Sequence, residues 1–170
     1  GVMDEFLVFQ GATYFRAVAR GTIYGLSARG LAIKTGSPDG EEFPLFTDFW
    51  IQEPTDGSGW VRIYAALDSK SVAGAFQFDV NPGAVTSERT RVALFPRVDL
   101  QNTGLAPLTS MFWFGPASRR EVDDYRPAVH DSDGLQMHTG AGQALWRTLG
   151  AHKTLQISSF VDNNPRGFGL

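Results

Sequence analysis

Cysteine is missing from the 170 residues, which excludes a disulfide framework and any thiolate-held metal while leaving the redox compartment open. A large excess of one charge is missing too: 15 Lys and Arg stand against 18 Asp and Glu, for a formal net charge of −3, and the basic residues are scattered. Nucleic acids and anionic lipids are met by a basic face, so neither is expected as a partner. No apolar run approaches the ~20 residues of a membrane helix, and no membrane insertion is expected. The opening Gly1-Val2-Met3-Asp4-Glu5-Phe6-Leu7 lacks the basic-then-apolar pattern of an export signal. No repeat, low-complexity tract or long linker divides the chain.

What is present is apolar and rich in turns. Hydrophobic residues make up 42% of the chain and charged ones 19%, with 19 Gly and 9 Pro, a composition that favours a folded core over a self-repelling coil and turns over long helices. Strand character runs through 14–19, 48–52, 60–67, 73–80, 91–95, 108–114 and 154–161, each run short and aromatic or β-branched. In 74–80 the period of two puts Phe76, Phe78 and Val80 on one face and Gln77 and Asp79 on the other, the signature of a half-buried antiparallel strand. Breaks at Ser37-Pro38-Asp39-Gly40, 54–59 and Asn81-Pro82-Gly83 supply turn conformations. The expected fold is all-β, an antiparallel β-sandwich, with one short helix over Ser118–Tyr125 that uses Ser118 as N-cap and Glu121 in a capping box. The carboxyl end stops on Leu170 just as a strand begins, so residues 1–170 read as an internal piece of a larger sandwich domain.

Chemistry concentrates in few places. Tyr24-Gly25-Leu26-Ser27-Ala28-Arg29-Gly30 has a serine among glycines, but Arg29 occupies the second glycine position of a nucleophile elbow and no helix pattern follows. A glycine-rich turn is the simpler reading. Tyr24 and Arg29 can hold sugar hydroxyls through phenol and guanidinium, and a buried ion pair is an equally open role for Arg29. His130-Asp131-Ser132-Asp133-Gly134 gathers an imidazole and two carboxylates beside aromatic residues. A calcium loop would need a glutamate where Gly142 stands, and His130 and His138 have no evident third ligand for zinc. No metal and no cofactor is expected. Two readings of the segment stay open: an Asx-turn, with Asp131 or Asp133 bonding nearby amides, and acid–base work on a glycosidic bond, which needs a second carboxyl across the bond. Asp131 and Asp133 lie too close in sequence to be that pair, and Glu41 and Glu42 read as solvated surface. Trp50, Trp60, Trp113 and Trp146 offer flat faces suited to sugar rings, although most aromatic residues of a sandwich are core.

Six ordered blocks, 11–17, 24–33, 41–44, 106–112, 130–135 and 164–170, together resemble the periplasmic glucan biosynthesis family typified by OpgG and OpgD, also called MdoG and MdoD. The resemblance covers nearly the whole chain. It implies a periplasmic protein with a large amino-terminal β-sandwich and a smaller immunoglobulin-like carboxyl domain, acting on β-1,2-linked glucan. Some members resemble inverting β-1,2-glucanases, in which the aspartate of the His-Asp-Ser block, here Asp131, serves as base through waters and a substrate hydroxyl. Their acid is an aspartate well downstream, which here would lie beyond Leu170, as would the carboxyl domain. Tyr24, Arg29, His130 and Asp133 are then the substrate-binding candidates, Asp133 being also readable as structural. The alternative is a non-catalytic glucan-binding or export factor using the same cleft. Oligomeric state is not legible, and this stretch alone is expected to be inactive.

Overall fold

Period-two patterning decides the largest element. In the computed structural model, which describes residues 5–22, 26–55 and 57–170, four strands form an antiparallel meander: β5 (Leu45–Ile51), β6 (Val61–Asp68), β7 (Val72–Asn81) and β8 (Ser87–Pro96). Strand β7 aims Phe76, Phe78 and Val80 inward, where they are all but fully buried, and pairs them with Ala65, Ile63 and Val61 of β6. Burying three such side chains contributes about 1.5–3 kcal/mol each, so register in this sheet is firmly set: a one-residue slip would turn them to water. A bulge between Phe46 and Asp48 interrupts β5.

The chain divides into two compact units, Gly1–Pro107 and Leu108–Leu170. In the first, β1 (Leu7–Gln10), β2 (Tyr14–Ala17) and β3 (Ser27–Arg29) form a second antiparallel layer. Phe9 and Phe15 of this layer meet Phe78 edge-on, with ring centroids 5.1 and 5.2 Å apart. Leu31 and Ile33, at and beside β4 (Ala32–Ile33), complete the core, and β4 pairs with β9 (Thr103–Gly104). The unit is thus a two-layer sandwich with an aromatic interior.

The second unit holds β10 (Leu108–Thr109), β11 (Phe112–Phe114), β12 (Val129–His130), β13 (Gly134–His138), β14 (Ala144–Thr148) and β15 (Gly167–Gly169). Strands β11 and β12 pair antiparallel, and β13 lies between β14 and β15. The expectation of an all-β antiparallel fold holds, with three local differences. The run 108–114 is two short strands rather than one. The run 154–161 is not a strand: Leu155 and Ile157 are 86% and 82% exposed, and strand-forming residue types without a paired neighbour do not hold extended chain in a sheet. The helix expected over Ser118–Tyr125 is a 3-10 segment, Pro116–Glu121. Pro116, with its fixed φ, opens it early, so Ser118 is not the cap but the third residue, its hydroxyl accepting from the Gly115 N–H at 3.0 Å.

Candidate functional site

The sequence places a glycine after two acidic residues at 130–134, and the structure gives that glycine a specific task. Gly134 begins β13 directly opposite Thr148. A Cβ there would stand 2.4 Å from the carbonyl oxygen of Arg147 and 2.7 Å from the Trp146 ring, so only a glycine lets β14 and the indole close on this point. The preceding segment, Asp131–Asp133, is therefore a bend between two fixed ends: β12, paired with β11, and β13, paired with β14.

Hydrogen bonds to the 106–112 block fix the bend. The Asp131 N–H donates to the Met111 carbonyl at 2.9 Å, and the Asp131 carboxylate accepts from the Met111 N–H at 3.3 Å. Asp131 thus bonds, by both its amide and its carboxylate, a residue twenty positions away in the chain. Ser110 and Ser132 share a hydroxyl contact of 2.7 Å, and the His130 ring stacks on Phe112 with centroids 6.3 Å apart. His130 Nδ1 lies 3.0 Å from the Ser132 carbonyl. A carbonyl only accepts, so Nδ1 carries a proton, which in the neutral ring leaves Nε2 as the acceptor nitrogen. The Asp133 carboxylate, 87% exposed, stands 3.6 Å from Nδ1. His130 and Asp133 line a hollow of about 190 Å³ together with Phe112, Pro116 and Leu149. Ser110, Met111 and Phe112 were not singled out as site residues by sequence; the signal available was their block, whose spacing to 130–135 only strand pairing explains.

The other candidates lie in the first unit. Tyr24 falls outside the described residues. Arg29, in β3, is buried, with Nη1 2.7 Å from Glu41 Oε1 and its guanidinium 5.2 Å from the Tyr14 ring and 5.7 Å from the Phe43 ring. Its Nε and Nη2 have no hydrogen-bond partner among the described residues. The acidic pair is not the solvated surface expected of it: Glu41 holds Arg29 and accepts from Thr35 at 3.1 Å. Glu42 accepts from Ser69 Oγ, from the Ser71 N–H at 2.8 Å and from Ser71 Oγ at 2.7 Å. Burial alone would push the Glu42 carboxyl up, but these donors and the nearby Lys70 charge hold it below its ordinary value.

A two-layer antiparallel β protein whose polar groups gather on a glycine-seated bend is the class that fold and geometry define. The chain belongs to the periplasmic glucan biosynthesis family: the profile described as "Periplasmic glucan biosynthesis protein, MdoG" matches residues 1–170. It is 56% identical over 98% of its length to "Glucans biosynthesis protein G" of Bradyrhizobium diazoefficiens, covering 33% of that protein. Against the protein of the same name in Rhodopseudomonas palustris it is 58% identical over 98% of its length, covering 33%. With "Glucans biosynthesis protein G 1" of Shewanella oneidensis the identity is 55% over the whole chain, covering 31%. The chain thus spans about a third of the length of these relatives.

Proposed function

We propose that the protein to which this chain belongs works in the periplasm on the β-1,2-linked backbone of glucans, as an inverting β-1,2-glucanase with Asp131 as its base. The observation that carries the reading is the family match across the whole chain, joined to the fixed bend that presents Asp131. In an inverting reaction the base carboxylate takes a proton from the attacking water while an acid on the far side protonates the leaving oxygen. Asp131 supplies the first group, acting through waters and a substrate hydroxyl. His130 offers Nε2 to a sugar or water, held in that tautomer by Ser132, and Asp133 is a further sugar contact beside it. Arg29 and Tyr24 belong to the substrate-binding set, Arg29 with an Nε and an Nη2 that have no hydrogen-bond partner among the described residues. The acid is contributed by chain outside these 170 residues, in keeping with a larger sandwich domain and a carboxyl-terminal immunoglobulin-like domain in the whole protein.

Replacing Asp131 by Asn in the full-length protein keeps an oxygen for the Met111 amide and removes the base. Reducing-sugar release from linear β-1,2-glucan should fall by about 10²-fold or more, with binding of the glucan retained. Equal release by the two forms rejects Asp131 as base, and no release by either form leaves the protein a glucan-binding or export factor instead.

A further inference from the structure

The face of the β5–β8 sheet turned away from the core has its own order. Opposite the buried Ile63 and Ala65, period two places Arg62 and Tyr64 outward, and pairing lines Trp50, Tyr64, Gln77 and Arg91 directly across the four strands. Trp50 is 56% and Tyr64 38% exposed. The row beside it is Arg62, Asp79 and Arg89. Asp79 is its hub, its carboxylate accepting from Arg62 Nε at 2.5 Å, Gln77 Nε2 at 2.9 Å and Arg91 Nη1 at 3.4 Å. Where this row meets the end of β6, Glu53, Trp60, Arg62, Asp79 and Arg89 line a cavity of about 310 Å³.

We infer that this face is a binding site for a neutral glucan chain, separate from the bend at Asp131, with Trp50 and Tyr64 as stacking platforms leading to a terminal sugar in the cavity beside Trp60. Flat apolar faces beside fixed polar groups match the two sides of a sugar ring. In the cavity two carboxylates, Glu53 and Asp79, balance two guanidiniums, Arg62 and Arg89, so it carries no net charge to draw in a charged chain. Arg62 and Arg91 keep 41% and 57% of their side-chain surface in water, and covering them with protein would strip that water away, so the face suits water and a polyhydroxylated ligand. The choice of glucan rests on the functional reading above.

The experiment is titration calorimetry on the full-length protein with a linear β-1,2-gluco-oligosaccharide. Trp50→Ala and Trp60→Ala should each weaken Kd about fivefold without loss of thermal stability, and Trp60→Phe should restore most of the affinity. Unchanged affinity in both alanine variants, or tighter binding of oligogalacturonate than of the neutral glucan, overturns the site. Unchanged affinity alongside cleavage lost in Asp131→Asn sinks the sheet site and leaves the role of Asp131 standing. Weakened affinity alongside normal cleavage by Asp131→Asn does the reverse. An unsubstituted protein that binds no glucan overturns both.

Discussion

Gly134 shows how much of the bend depends on one missing side chain. A methyl group there meets backbone, the Arg147 carbonyl, and an indole edge at once, and backbone cannot swing away as a flexible side chain would. Gly134→Ala should therefore cost about 1–3 kcal/mol, read as a lower urea midpoint with an unchanged slope; a midpoint equal to that of the unsubstituted protein would show that β14 yields freely. Residue by residue, what the sequence revealed depended on how far away the partner lies. Asp131 stood out because imidazole, carboxylates and glycine are neighbours in the chain. Glu42 did not, because the serines that hold it are 27 and 29 residues on, and only the fold brings them to it. Asp79 was placed on the polar side of its strand, yet it is buried, since Arg62 and Arg91 close over it from the strands on either side.

Among the elements, the segment after the 3-10 turn is tied by charge rather than by packing. Asp124 accepts from the Arg126 backbone N–H at 2.9 Å and from Arg126 Nη2 at 2.6 Å, while Arg119 donates to the Asp124 carbonyl at 2.5 Å. The Arg126 side chain, then its backbone N–H, hold the Asp124 carboxyl down to about 2 from an ordinary 3.8. A carboxyl depressed in the fold contributes stability that is fully present above its ordinary value and is lost as pH falls through the folded one. Between pH 4 and pH 2 stability should fall, and Asp124→Asn should flatten that part of the profile in urea titrations at stepped pH. An unaltered slope in the variant would remove Asp124 from the account. Strand β7 was legible because its aromatic residues alternate and its core is local to the sheet, whereas 154–161 alternates only as far as Ile157 and forms no strand. Alternation states which face would be buried, not whether a neighbour exists to bury it.

For the molecule as a whole, composition and strand spacing were enough for an all-β sheet protein, and six ordered blocks were enough for the family. The row across β5–β8 was beyond reach, because register among four strands is a property of pairing and leaves no trace in any one of them. On the proposed inverting mechanism two carboxyl groups are needed and one lies outside these residues, so 1–170 alone should release no reducing sugar from β-1,2-glucan under conditions in which the full-length protein releases it. Turnover by the isolated chain would mean that its acid lies within it. The four tryptophans add an optical consequence. Trp50 and Trp60 stand on the sheet of the first unit and Trp146 against Gly134 in the second, so proteins keeping only one indole would emit from one place. A shift in the Trp146 emission maximum on adding glucan would report the bend, and a shift from Trp50 or Trp60 the sheet, so the colour of the emitted light would tell where the sugar sits.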